Sequence, residues 1–384
     1  MTGIAIVIYL NQPPYQVRER DYAYAGSFYA FSIWVGFGAA AIFSYIESLS
    51  KGKGAAAAAC TISLLCLGVP ALMAQQNWDD HDRSNRFTAV EMARNYLNSV
   101  GPDGILITHG DNDTFPLWYA QEVEGVRTDV RICNTSLLGT DWHIDQMKYA
   151  VNESAPLDLQ VQPVQYLYGT NEYIYILDNR DQVVPIADVM KVFRHPDIKA
   201  MAGSQKVDYI CSRKISVPVN KENALRCGIV PECFADAILD TIVLEIPKER
   251  NMITKPELFM LDLLSNYKWD RPLHMLNLGG DLNLGLRSYL MSGGYSTHLV
   301  PLRNEVTTSS YGEYVDTEKL YHLMTGVYRF DQLARKDYFV DYQNLYTQLG
   351  VMPLRGLFTR SAEAFMAAGQ NDRAKEMLDA CQLI

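Results

Sequence analysis

Basic charge is in short supply in this 384-residue chain: 34 Lys and Arg stand against 44 Asp and Glu, a formal net charge of -10. A chain with that balance offers no general counterion-release term, which excludes nucleic acid as a main partner. Metal-ligand cysteine spacing is missing as well. The seven cysteines form no C-x-x-C pair and no Cys/His ligand pattern, which argues against a structural zinc site. Cys211, Cys227 and Cys233 leave a Cys227–Cys233 or Cys211–Cys227 disulfide open, with free thiols the default in a domain large enough not to need cross-links. No nucleophile elbow, P-loop or dinucleotide fingerprint occurs, because Gly279-Gly280 lacks the G-x-G-x-x-G spacing. With 48% hydrophobic and 11% aromatic residues, the chain is also too apolar to be disordered.

The apolar residues are unevenly spread. Ser27 to Ile46 (SFYAFSIWVGFGAAAIFSYI) and Ala55 to Ala74 (AAAAACTISLLCLGVPALMA) are each 20 residues without a charge. At 1.5 Å per residue, each helix reaches roughly 30 Å, the thickness of a bilayer's hydrocarbon core. Glu47 to Gly54 is a short polar hairpin between them, and both runs read as membrane spans. Gly3 to Leu10 (GIAIVIYL) is apolar but too short to cross, and it reads as the end of a further membrane helix, so that the chain is expected to be part of a longer protein. Sidedness by charge is a tie: Lys51 and Lys53 in the hairpin are matched by Arg18 and Arg20 before it and by Arg83 and Arg86 after it. Beyond residue 74 the chain keeps 30 basic against 41 acidic residues and reads as a soluble domain.

That domain has an α/β order. A helix from Thr88, capped by Thr88 with Glu91 in capping-box position, leads to a strand at Ile105–Thr108, a Gly110–Asp113 turn, a helix from Thr114 to Glu124 and a strand at Val130–Cys133. The order returns as a helix over 256–267, a strand over 273–278, a turn at 279–281, a helix over 284–291 and a strand over 297–301. Two α/β halves of one mostly parallel sheet, or two unrelated βαβ units, account for this equally well. Between them, Val161–Leu177 has strand character, and Lys214–Val219 and Thr241–Pro247 suit a pair of edge strands. Leu357–Leu383 resembles one tetratricopeptide-type helix pair.

The expected divisions are 1–25 (helix end and RERDY loop), 26–75 (two transmembrane helices), 76–155 (first α/β half), 156–255 (irregular insertion), 256–305 (second α/β half) and 306–384 (helical end).

Three places carry candidate chemistry. Asp111, Asn112, Asp113 and Thr114 follow a strand and open a helix, where open α/β sheets bind ligands. Asp111 and Asp113 can hold a divalent cation or accept sugar hydroxyls, or they can simply close the turn and cap the helix. Asp141, His143 and Asp145 follow the next strand and offer an acid/base or metal pair, or solvated helix-start charges; a metal-dependent hydrolase built on Asp111, Asp113 and His143 is one candidate. Arg18, Arg20 and Tyr22 precede the first complete span, where an Arg fork can grip a lipid phosphate or pair internally with Glu19 and Asp21.

The strings QVRERDYAYAGSFYAF, NWDDHDRSNRFTA and above all GDNDTFPLWYAQEVEGVRTDVRICNTSLLGTDWHIDQM resemble the bacterial members of the transmembrane protein O-mannosyltransferase family. The resemblance implies a multi-pass membrane protein of the GT-C glycosyltransferase type, a polyprenyl-phosphate-linked sugar donor and a protein or glycan acceptor. It also implies that residues 11–25 and 75–384 face away from the cytoplasm, in the periplasm. The family's catalytic acid belongs to an early loop with no counterpart here, so no catalytic residue carries over. The expectation is therefore a glycosyltransferase-like membrane protein whose extracytoplasmic α/β domain positions the acceptor; the alternative is a membrane-anchored binding or scaffold domain without catalytic activity.

Overall fold

The computed structural model describes residues 3–12, 20–49, 54–82, 84, 86–178, 181–276, 282, 284–303, 314–335 and 351–383. Two compact units divide the chain, one formed mainly by residues 1–86 and the other mainly by residues 87–384.

In the first unit, α1 (Ile4–Leu10), α2 (Ala25–Leu49) and α3 (Gly54–His81) are helical. Helices α2 and α3 pack on each other, and both are long and apolar enough to cross a membrane. Their large side chains point outward: Trp34 is 73% exposed and Leu65 also 73%. Pro70 sits inside α3 and removes one backbone donor from its ladder.

The second unit opens with α4 (Thr88–Ser99), β1 (Ile105–Thr108), α5 (Asp111–Glu122), β2 (Arg131–Asn134) and α6 (Asp141–Met147). A middle stretch follows, made of β3 (Tyr173–Ile176), β4 (Val183–Pro185), α7 (Ile186–Arg194), β5 (Ala200–Ala202), β6 (Gln205–Val207), β7 (Tyr209–Ile210), β8 (Lys214–Pro218), α8 (Lys221–Arg226), β9 (Thr241–Glu245) and β10 (Met252–Thr254). Then come α9 (Lys255–Ser265), β11 (Leu273–Leu276), β12 (Leu290–Ser292), β13 (Ser296–Leu299), β14 (Tyr314–Val315) and α10 (Thr317–His322), and a helical end, α11 (Val351–Ala367) and α12 (Asn371–Cys381).

The main sheet has the strand order β14-β12-β13-β11-β1-β2. Strand β1 is its pivot, parallel to β2 on one side and to β11 on the other. Beyond β11 the sheet is mixed: β13 runs antiparallel to β11 and β12, and β12 pairs with β14 in parallel. Ile105, Ile107 and Cys133 face a large core shared with Leu258 and Leu261 of α9 and with Val189 and Phe193 of α7. Alternate positions Leu106 and Ile132 turn to the opposite face, which α4 and α5 cover with Met92, Leu97, Leu117 and Ala120.

The expected helix over 284–291 is instead a 3-10 turn at Leu286–Tyr289 running straight into β12. Gly285 stands at φ 78 with the Glu245 backbone 2.6 Å from where a Cβ would lie, and Leu290–Ser292 is recruited into the ladder with β13. The second stretch is thus a hairpin rather than a βαβ unit. In the middle region, β8 and β9 do pair antiparallel over five residues, from Lys214–Glu245 to Pro218–Thr241, but β8 is not the expected edge, because β4 runs parallel to it on its other side. Only Tyr173–Ile176 of the Val161–Leu177 stretch becomes a strand. Thr88 is the first residue of α4 rather than its cap, and the Glu91 carboxylate accepts the Gln332 N–H at 3.2 Å.

The helical end is fastened to this frame. The amide of Asn95, buried in α4, donates to the Arg329 carbonyl at 2.7 Å and accepts the Arg329 N–H at 2.9 Å. Tyr321 meets Phe365 edge to face at 5.9 Å, Phe330 lies 5.3 Å from Phe358, and Arg373 pairs with Glu318.

Candidate functional site

The segment expected as the Gly110–Asp113 turn is already the first turn of α5. Gly110 is extended, and Asp113 at the third helical position folds back to accept the N–H groups of His109 and Gly110, both at 2.8 Å. Such a reach-back satisfies orphan donors at a helix start. Asp113 is 4% exposed, and its carboxylate is occupied by these bonds, whereas Asp111 and Asn112 stand on the surface. Thr114 is fully buried; its hydroxyl meets that of Thr108 at 2.7 Å and accepts from the Asn134 amide at 2.9 Å. Among the described residues no three His, Cys, Asp or Glu side chains stand together as a metal-ligand set.

Asn134, at the end of β2, is a hub that the sequence did not flag. Its amide also donates to the Gly110 carbonyl at 3.3 Å, its side-chain oxygen accepts the Ser136 N–H at 2.8 Å, and its own N–H donates to His143 Nε2 at 3.3 Å. Thr114 and His143 are thereby drawn to the same strand end. His143 is 1% exposed, and burial pushes its pKa down to about 4, against a smaller upward pull from the Gln146 side chain. The ring is neutral at pH 7, and because Nε2 accepts, Nδ1 carries the proton. No described atom stands in hydrogen-bonding geometry to that Nδ1, so the Gln146 side chain acts on the ring without a formed bond.

Asp141 and Asp145 are drawn away from His143 into other contacts. Asp141 accepts its neighbour Trp142 N–H at 2.8 Å and lies 3.4 Å from the Tyr168 N–H. Asp145 accepts the Tyr166 hydroxyl at 2.5 Å, and Lys148 donates to that hydroxyl at 2.8 Å. Burial, and then the bond to Asp145, hold the Tyr166 phenol protonated, while burial lowers the pKa of Lys148. Arg20 and Tyr22 belong to the other unit, and Arg18 lies outside the described residues.

His143 lines a cleft of about 310 Å³ between α5, α6, β2 and the loop at 151–154. Trp118 and Trp142 are its aromatic walls, their rings 6.3 Å and 5.2 Å from the imidazole. Arg131 is its buried cation, 3% exposed. Nη2 of Arg131 donates to the carbonyls of Tyr149, Ser154 and Ala155, and Nε reaches Ser154 Oγ at 3.3 Å. Arg271 converges on the same loop, donating to Ser154 Oγ at 3.0 Å and to the Ala155 carbonyl at 3.1 Å. Arg131 has no carboxylate partner among the described residues, so this wall of the cleft is electropositive. The signal was present in the sequence as a lone charge inside the apolar strand Val130–Cys133.

An α/β domain with an aromatic and cationic cleft beside its parallel sheet edge, carried on a chain with two membrane-length apolar helices, defines the general class. A family model described as TMEM260-associated domain 2 matches residues 89–319, from α4 into α10 and including the whole cleft, and the chain belongs to that family. No curated protein matches the chain, and no solved structure does.

Proposed function

We propose that the chain serves a membrane glycosyltransferase of the protein O-mannosyltransferase type, with the α/β domain holding a protein or glycan acceptor in the Trp118–Trp142 cleft. The observation that carries this reading is the cleft itself: two tryptophans, a neutral histidine with an unspent donor and a buried arginine, set beside a sheet edge. Ligand sites of this size are mostly apolar with a few convergent polar groups. Membership of a family named for TMEM260, an O-mannosyltransferase-related protein, supports the same direction. On this reading α2 and α3 anchor the domain in the bilayer, residues 76–384 face the periplasm, and Arg18, Arg20 and Tyr22 lie near a polyprenyl-phosphate sugar. The helix pair α11–α12 is read as a single tetratricopeptide-type unit.

The test is acceptor glycosylation in membranes carrying the full chain. Trp118→Ala with Trp142→Ala should lower acceptor modification at least tenfold while Asp111→Ala leaves it unchanged; equal modification by both variants would refute the acceptor role. Arg18→Ala with Arg20→Ala should reduce turnover of the lipid-linked sugar. A second reading, an anchored binding domain without chemistry, is favoured by the occupation of Asp113 in a helix cap. It predicts acceptor capture with no change in sugar turnover in any of these variants.

A further inference from the structure

Strand β2 is the last strand of the main sheet, and its outer edge forms one wall of the cleft. In a parallel ladder, alternate residues direct both backbone groups to the same neighbour. Arg131 N–H donates to the Gly104 carbonyl and Thr135 N–H to the Thr108 carbonyl, so Arg131, Cys133 and Thr135 address β1. Val130, Ile132 and Asn134 therefore turn their backbone groups outward. At the two ends of this edge a side chain has taken the strand's partner role: Gln121 Nε2 donates to the Val130 carbonyl at 2.8 Å, and His143 Nε2 accepts the Asn134 N–H at 3.3 Å. The N–H and C=O of Ile132 remain between them, and no described group bonds either one.

A buried strand edge is usually covered, charged or paired, because unpaired backbone groups are costly away from water. This edge is closed on both sides and open for one residue, at the cleft. One donor and one acceptor spaced as on a single strand residue are complementary to a single residue of another extended backbone. Neighbours of that residue would project to the face on which Arg131 lies, where the guanidinium lacks a carboxylate.

We propose that the cleft binds an extended peptide segment by adding it to β2, one peptide residue exchanging both backbone hydrogen bonds with Ile132 and an adjacent acidic side chain meeting Arg131. The inference rests on the acceptor reading above and specifies its substrate class as polypeptide, presented as a strand. Trp118 and Trp142 then flank the peptide, and His143 Nδ1–H offers a further donor to it. Strand addition gives affinity through the main chain and specificity through alternate side chains.

The test uses the full chain in nanodiscs and the synthetic peptide acetyl-Thr-Asp-Val-Asp-Thr-amide, titrated calorimetrically. Three changes should each weaken binding at least tenfold: N-methylation of the central valine, replacement of both aspartates by asparagine, and Ile132→Pro. The last removes an N–H that takes no part in the β1 ladder. The methylated peptide leaves the protein untouched, so it decides the matter even if the proline variant folds poorly. Equal binding of the methylated peptide, absence of any binding, or displacement of the peptide by mannopentaose would each overturn the proposal. If Trp118→Ala with Trp142→Ala abolishes acceptor modification while N-methylation is without effect, the strand-addition inference fails and the acceptor reading stands.

Discussion

The turn that opens α5 and the cleft beside β2 lie at neighbouring strand ends, and both are rich in polar residues. They differ in what has been done with those residues. At the turn, Asp113 is enclosed by two backbone N–H groups, and Thr114 is held between Thr108 and Asn134. In the cleft, the Nδ1 of His143 is unbonded and the charge of Arg131 has no counter-ion among the described residues. Polar groups already bonded within the fold rigidify it, whereas polar groups buried with capacity to spare are where a ligand can add energy. Residue type pointed to the turn; hydrogen-bond accounting points to the cleft.

Acid should give the largest effect on stability. His143 and His298 have pKa values lowered by burial to about 4 and about 3, and His274 is held well below its ordinary value for the same reason. All three are neutral when folded but gain a proton near pH 6.5 when unfolded. Their contribution is complete above that pH and is lost as pH falls, so at pH 5 His143 and His298 each cost about 2 kcal/mol, and His274 acts in the same direction. Urea denaturation at pH 7 and pH 5 measures the total, and a midpoint that does not fall would contradict the buried neutral assignment. His143→Gln should remove its own share, about 2 kcal/mol, from that dependence.

Asp113→Ala comes next. It strips two part-buried backbone donors of their acceptor at the start of α5 and should cost about 2 kcal/mol, read as a drop in thermal midpoint, while peptide binding persists. Were that variant as stable as the parent but unable to bind, the roles of turn and cleft would be reversed. Trp142→Ala should show the opposite pattern: the ring is 46% exposed, so stability falls by no more than about 1 kcal/mol, yet ligand affinity drops at least tenfold. Asp111→Ala should be smallest, within about 0.5 kcal/mol and with binding unchanged, as expected of an exposed residue.

Much of the architecture was legible because it is written in periods and in punctuation. Uncharged runs marked α2 and α3, and a short apolar run between Gly104 and Gly110 marked β1. Strand propensity over Lys214–Val219 and Thr241–Pro247 located β8 and β9. The hairpin at β12–β13 was not legible, because Leu284, Leu286, Leu290 and Met291 are buried by long-range pairing and carry no local period that separates strand from helix. The site was half legible. His143 was flagged by type, but Arg131 and Asn134 matter through partners that are distant along the chain or on the backbone, and no spacing rule registers those. Trp118 and Trp142 are 24 positions apart in sequence and meet only through the imidazole between them.

Asn95 bonds the carbonyl and the amide of a single residue, Arg329, and so imitates with one side chain what a neighbouring strand would do. The amide hydrogen of Arg329 is consequently shielded for as long as the segment after α10 remains seated on α4. Its exchange with deuterated solvent would time the lifting of that segment as a local event, distinct from opening of the sheet.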